Sequence, residues 1–240
     1  MRPLWVLADP HGGAGHEADR ALVELFDAAE AERVDLLLLG DLFFAWIAIE
    51  RFWSPFQRDV LTRIARLRGR GQRITFIAGN RDYLARDLEG SIFDAVHDEE
   101  AILDLGGRRT LVAHGDRLDT DDHLYRAWRR VSRSTPATAI LRALPGAVGR
   151  RLATRTEHAL KDTNRRYKTG DLPLHAIERF GRKARELGAE RALVGHFHHD
   201  RVVDVAGGVP VIIAPGWLDH QRILALDPDG ALRSTPPIVR

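Results

Sequence analysis

The chain has 240 residues, 44 % hydrophobic and 29 % charged, a length that suits one domain, or one domain carrying an insertion, around a sizeable core. It contains no cysteine, which excludes disulfides and thiolate ligands; a metal would have to be held by His, Asp, Glu or Asn, a donor set that favours manganese, or zinc in a nitrogen and oxygen site. The net charge is only +2, yet residues 126–185 hold 16 Lys/Arg against Glu157, Asp162, Asp171 and Glu178, so this block points to an anionic partner. Phosphate or a membrane surface is expected before nucleic acid, because no aromatic-rich single-strand signature accompanies the block.

About five apolar residues precede Asp9, too few for a signal peptide or a membrane span, and the expected location is the cytoplasm. Within them Leu4–Ala8 predicts a short buried strand, and Asp9 and His11 follow it. Residues 17–31 have helical apolar spacing. Leu36–Leu39 predicts the second strand, ending in Gly40-Asp41. Residues 54–69 return to helical spacing, with Val60, Ile64 and Leu67 on one face, and lead to a third strand, Ile74–Ala78, that ends in Gly79-Asn80-Arg81-Asp82. Thr110–Ala113 predicts the fourth strand, ending in His114-Gly115-Asp116. Residues 121–170 have no strand signal and contain Pro136, Pro145 and Gly146, which break helices; they predict an inserted helical cap.

Helical spacing resumes at 173–187, and Ala192–Val194 predicts a fifth strand, ending in Gly195-His196-Phe197-His198. Beyond residue 199, Val202–Val205, a Gly207-Gly208 turn, Val209–Ala214, Ile223–Leu226 and an Asp229-Gly230 turn predict antiparallel strands that close a second sheet. Strand and helix alternate, so the class is α/β, with residues 1–240 as one domain and 121–170 as its cap.

Each of the five strands of the predicted first sheet ends in residues able to ligate metal. Open α/β sheets gather ligands at strand carboxyl ends, so all five clusters should converge on one rim. The set suits a dinuclear site, in which two divalent ions about 3.5–4 Å apart share a carboxylate and a water of lowered pKa. Asp41, next to a glycine in the middle of the set, is the natural bridge. Asp9, His11 and His198 complete one ion, and Asn80, His114 and His196 the other. Any one of these alone would more often be a capping or satisfied core residue; five clusters in register argue against that.

The ordered series Asp9-x-His11, Gly40-Asp41, Gly79-Asn80, His114 and Gly195-His196-x-His198 resembles the calcineurin-like metallophosphoesterase superfamily, which implies an α/β/β/α sandwich of two mixed sheets and the same seven ligands. Most of that superfamily has Gly-Asn-His after the third strand. Arg81 in that place resembles the UDP-2,3-diacylglucosamine diphosphatases of lipid A biosynthesis, as do Gly40-Asp41-Leu42-Phe43 with Trp46-Ile47, Thr120-Asp121-Asp122 with Tyr125, and Ala143-Leu144-Pro145 ahead of Arg150-Arg151. Phe44, where that branch usually has an acid, and Ala48-Ile49-Glu50, in place of its Gly-Asp-Asp, depart from its pattern but leave the ligands in place.

The resemblance implies a diphosphate hydrolase that attacks the phosphorus nearer uridine and releases UMP and an acylated glucosamine 1-phosphate, with two divalent ions, most simply Mn(2+). Asp41, Asn80, Arg81 and His114 are the catalytic candidates; Arg81, as a bidentate clamp, with Asp122, Tyr125, Asn164, Lys168 and His196, would contact substrate. The expected partners are a lipidated UDP-sugar and, peripherally, the anionic inner-membrane surface of a Gram-negative-type bacterium. No nucleic acid or obligate protein partner is expected. Within the cap, Ile140, Leu141, Leu144, Val148 and Leu152 recur at helical spacing among Arg142, Arg150, Arg151 and Arg155, an apolar stripe bordered by cations. The alternative is a soluble metallophosphoesterase acting on a non-lipid phosphodiester or nucleotide diphosphate. A metallo-β-lactamase reading of His196-Phe197-His198-His199-Asp200 fails on Arg201, which replaces the last histidine of that motif. A non-catalytic scaffold would not be expected to keep all seven ligands.

Overall fold

A computed structural model describes residues 2–13, 15, 17–118, 129–161 and 172–236. In chain order the elements are β1 (Leu4–Leu7), α1 (Glu17–Glu32), β2 (Asp35–Leu38), β3 (Trp46–Ile47), α2 (Pro55–Gly69), β4 (Ile74–Ile77), β5 (Asp82–Tyr83), β6 (Ala95–His97), β7 (Ala101–Asp104) and β8 (Arg109–Ala113). They continue with α3 (Thr135–Ala143), α4 (Gly146–Lys161), α5 (Leu174–Glu186), β9 (Arg191–Val194), β10 (Arg201–Val203), β11 (Val211–Ile213), α6 (Trp217–His220), β12 (Ile223–Leu226) and β13 (Leu232–Thr235). No helix among the described residues is long and apolar enough to cross a membrane.

The strands form two mixed sheets. The first has the order β13-β12-β1-β2-β4-β6, with β1, β2, β4 and β6 parallel and the β12–β13 hairpin antiparallel at one side. The second has the order β10-β11-β9-β8-β7, with β8, β9 and β11 parallel and antiparallel strands at both edges. Side chains alternate across a strand, so each sheet has two apolar faces to cover. Val6, Leu37, Leu39 and Ile77 of the first sheet meet Val112 and Leu193 of the second between the layers. On the far face of the first sheet Leu7, Leu36 and Phe76 pack against Leu22, Leu25 and Phe26 of α1 and Val60 and Ile64 of α2. On the far face of the second, Leu111, Ala192 and Val211 pack against Ile177, Phe180 and Ala184 of α5. The result is the expected α/β/β/α sandwich. Its helices match the predicted spans within a residue or two, and α2 starts where Ser54 and Gln57 make a reciprocal capping box ahead of Pro55.

Two expectations about strands need correction. The five ligand-bearing strands do not share one sheet: β1, β2 and β4 lie in the first, β8 and β9 in the second. The strands after residue 199 do not close the second sheet as an antiparallel set, because β11 runs parallel to β9 while β12 and β13 join the first sheet beside β1. The edge strands β6 and β7, and the two-residue pair β3–β5, carry too short or too mixed an apolar pattern to have been predicted.

Between β8 and α5 the described residues form helices and turns and no strand. Pro145 separates α3 from α4 as a breaker, but Pro136 sits in the first turn of α3 behind the capping Ser134, where its missing N–H costs nothing. The layers are also pinned by Arg191, which is buried at the start of β9 and donates to Thr110 Oγ1 (2.9 Å), Leu105 O (2.7 Å) and Gly230 O (2.6 Å). Arg191→Met is expected to cost about 1–3 kcal/mol for each carbonyl left without a donor. The check is the midpoint of urea unfolding, with the slope unchanged.

Candidate metal centre

The carboxyl ends of both sheets emerge on the same side of the sandwich, and backbone hydrogen bonds tie the emerging loops together. His11 N donates to Asp41 O (3.0 Å) and Gly195 N to His114 O (2.9 Å). Across the layers His196 N donates to Asp9 Oδ2 (2.7 Å), and His114 Nδ1 donates to Leu39 O (2.7 Å). The chain turns sharply at each of these loops. Asp9, His11, Asp41, His196 and His198 all have φ between 45° and 64°, and they make up most of the non-glycine residues with left-handed backbone among those described. Such conformations cost energy and persist only where the surroundings enforce them, which is typical of ligand clamps.

All seven predicted ligands come together. Asp9, His11 and His198 form one group, and Asp9, Asp41 and His114 a second, with the candidate ligand atoms of each within 4.8 Å of one another. His198 Nε2 lies 3.7 Å from Asp9 Oδ1, and His11 Nε2 lies 3.9 Å from Asp41 Oδ2. On the other side His114 Nε2 lies 3.7 Å from Asp41 Oδ1 and 3.1 Å from Asn80 Oδ1. The His196 ring stands edge-on to that of His114 with centroids 5.1 Å apart. Asp9 belongs to both groups, but it meets His114 at Nδ1 (3.9 Å), a nitrogen already donating to Leu39. Asp41 instead directs its two oxygens to Nε2 atoms on opposite sides, which is the geometry required of a bridge.

The donor set fits divalent cations on three counts. Asp9 Oδ1 and His11 Nδ1 are buried without a hydrogen-bond partner. Burial raises the Asp9 carboxyl above the usual carboxylate range, partly opposed by His198 and His114. Burial pulls the His114 imidazole down, but Asp41, Asp9 and Asp116 outweigh it and push it up to about 9, so a proton settles among carboxylates that call for positive charge. Burial, followed by the charge on Arg81, holds His11 well below the ordinary histidine value, and burial followed by His114 lowers His196 to about 3. Both imidazoles are therefore neutral at physiological pH, as ligands must be.

Glycines set how tightly the loops close on these side chains. A Cβ on Gly40 would stand 2.7 Å from His114 Nδ1, and one on Gly79 would stand 2.3 Å from Asp41 Oδ1. The same Cβ would stand 2.6 Å from the Asp41 backbone nitrogen, so Gly79→Ala is expected to displace both the backbone and the carboxylate of Asp41 and to lower the metal content and the melting temperature of the purified protein together. Elemental analysis beside a thermal melt checks this.

Arg81, the expected bidentate clamp, is engaged within the protein itself. It is 2 % exposed, its Nη1 donates to Phe44 O (3.0 Å), its Nε lies 3.3 Å from Asp41 Oδ2, and its backbone N–H donates to Asp41 Oδ1 (2.9 Å). In this conformation it braces the central carboxylate. Phe44 lies between His11 and Arg81, with its ring 5.3 Å from that of His11 and 5.9 Å from the Arg81 guanidinium. Asp122, Tyr125, Asn164 and Lys168 lie outside the described residues.

Sequence reasoning passed over several supporting groups. Asp82 is fully buried and accepts from the backbone N–H of Asp41 (2.7 Å), Leu42 (3.3 Å) and Gly79 (2.8 Å), tying two ligand loops together; burial and then Asp41 push its carboxyl up to about 7. Its place directly after Asn80-Arg81 was the available signal. Arg133, ahead of α3, donates to Gly79 O (2.6 Å), and Arg129 pairs with Asp116 (3.1 Å). Asp219 reaches His198 Nδ1. No local motif marks these last three.

The family model for calcineurin-like phosphoesterases matches residues 2–200. Among curated proteins, the UDP-2,3-diacylglucosamine hydrolase of Neisseria meningitidis serogroup C (strain FAM18) is 29 % identical over 235 residues, 97 % of either chain. That of Ralstonia nicotianae is 27 % identical over 98 % of this chain and 92 % of its own, and that of Escherichia coli O81 is 37 % identical over 66 % of each. With the seven donors gathered where the two sheets end, and the family match spanning all of them, this chain belongs to the calcineurin-like phosphoesterases and is a metal-dependent hydrolase.

Proposed function

We propose that the chain hydrolyses the diphosphate of UDP-2,3-diacylglucosamine, or of a close lipidated UDP-sugar, to UMP and the acylated glucosamine 1-phosphate. Asp9, His11, Asp41 and His198 would hold one divalent ion and Asp41, Asn80, His114 and His196 the other, with Mn(2+) suited to this oxygen-rich set. When bound, such ions supply Lewis acidity toward phosphate oxygens and lower the pKa of a shared water. The protein's own part is positioning. Asp41 is braced by Arg81 and held by Asp82 through its backbone, while His114 has its tautomer fixed by Leu39 O, so that Nε2 faces the site. Arg81 is in place to meet a phosphate oxygen if its side chain turns from Phe44 O, and Asp122, Tyr125, Asn164 and Lys168 remain the proposed sugar and phosphate contacts.

The observation that carries the lipid reading is the surface of the proposed cap, residues 121–170. α3 has no buried residue; Ile140 is 63 % exposed, Val148 and Leu152 are exposed, and Leu141 and Leu144 are half-buried. Among the described residues, polar contacts and one ring contact join these helices to the body. Arg51 donates to Arg142 O and to Leu144 O (3.1 Å), Arg150 donates to Arg51 O (2.7 Å), and Gly149 lets the Phe52 ring close against α4. An apolar strip left open beside arginines suits an acyl chain that ends in a diphosphate. The same character supports a peripheral position on an anionic membrane, with the cytoplasm as the compartment.

The test is hydrolysis, with manganese, of a diacylated UDP-sugar beside UDP-glucose and a nitrophenyl phosphodiester. The lipidated substrate is expected to lead in kcat/KM by at least ~10²-fold. Equal rates on all three would favour a soluble phosphodiesterase of the same family.

A further inference from the structure

The two nitrogen-rich halves of the metal centre are supported in different ways. On the His114 side a backbone carbonyl, Leu39 O, receives Nδ1–H. On the His198 side the support comes from the short segment between β11 and β12. Trp217 is fully buried and anchors this segment, its indole N–H donating to Ala18 O (3.2 Å) and its backbone N–H to Ala8 O (2.8 Å). The preceding Gly216 lies flat against His198: a Cβ there would stand 2.6 Å from ring atoms Cγ and Nδ1. Within the next four residues, α6 addresses the same histidine twice. Asp219 Oδ2 is hydrogen-bonded to His198 Nδ1, and His220 Nε2 donates to His198 O (2.9 Å). Leu218 N also points at Asp9 O (3.4 Å), so the residue on the other side of the same ligand group is touched as well.

We propose that Asp219 is the positioning residue for His198, the outer carboxylate of a carboxylate–histidine–metal relay that serves the ion held by Asp9, His11 and His198. This rests on the dinuclear reading above. An ionised carboxylate only accepts, so His198 Nδ1 must carry the proton, which leaves the Nε2 lone pair directed into the site, 3.7 Å from Asp9 Oδ1. A carboxylate partner also strengthens an imidazole as a donor more than a carbonyl does, and loss of such an outer partner commonly costs 10–100-fold in metal affinity. The structure thus assigns a carboxylate-backed histidine to one ion and a carbonyl-backed histidine to the other, and removal of Asp219 acts on the first.

The experiment is a calorimetric titration of metal-stripped protein with Mn(2+), for the wild type, Asp219→Ala and Asp219→Asn, with ¹⁵N chemical shifts of the histidine ring nitrogens recorded before metal is added. The wild type is expected to bind two ions with His198 as the Nδ1–H tautomer. In Asp219→Ala one binding event weakens about 10–100-fold, the other holds, and the tautomer becomes mixed. Asp219→Asn keeps an oxygen acceptor in the same place and recovers part of the affinity, which separates positioning from a general loss of folding. Two unchanged events in both variants, or equal weakening of both events, would overturn the proposal. A wild type that binds no metal would overturn the dinuclear reading itself, and the proposal with it.

Discussion

Asp41→Asn is expected to empty both metal positions together and to lower kcat/KM by at least ~10³-fold, about 4 kcal/mol of transition-state stabilisation. The side chain keeps its size, and the hydrogen bonds from Asp41 N to Asp82 and from His11 N to Asp41 O are backbone contacts that survive, so the loops stay in place. What is lost is one carboxylate whose two oxygens face His11 on one side and His114 on the other. His11→Ala touches only one of those sides and is expected to weaken one ion much more than the other. Elemental analysis of both variants separates the cases. Full occupancy in Asp41→Asn would contradict a bridging role.

The second large effect concerns the exposed strip of the cap. Ile140 and Val148 are the residues to change, because they stand open to solvent while Leu141 and Leu144 are half-buried and would mix substrate contact with packing. Burying such a side chain fully is worth about 1.5–3 kcal/mol. Partial contact gives less, so Ile140→Ser combined with Val148→Ser is expected to lower kcat/KM on a diacylated UDP-sugar by about ten- to hundredfold, at ~1.4 kcal/mol per decade. A small water-soluble phosphodiester uses only the metal centre and should be hydrolysed at close to the normal rate. Equal loss on both substrates, or no loss on the lipid, would count against an acyl-binding cap and in favour of the soluble phosphodiesterase.

The candidate metal centre was legible in the sequence because its donors are local to strand ends. A short apolar run followed by Asp9, Asp41, Asn80, His114 or His196 states both the strand and what leaves it. Which sheet each strand joins was not legible, because β8 and β9 carry the same buried pattern as β1 and β2, and only the long connections between them decide the pairing. The direction of β11 was missed for a related reason: β10 and β11 do form the predicted hairpin around Gly207, but β11, not β10, is the strand inserted beside β9. The supporting groups Arg133 and Asp219 had no local signature, since each meets its partner only when loops distant in sequence are folded together. Arg81 was readable as a cation at the site. Its engagement with Phe44 O and Asp41 was not, because that depends on how the loop after β2 curls over it.

The most direct test of a metal-dependent diphosphate hydrolase at this site is a single turnover of the diacylated UDP-sugar in ¹⁸O-water, read by mass spectrometry, with and without manganese. The predicted result is one ¹⁸O in UMP, none in the acylated sugar phosphate, and no turnover after chelation. Label in the sugar phosphate, or an undiminished rate in the chelated protein, would contradict it.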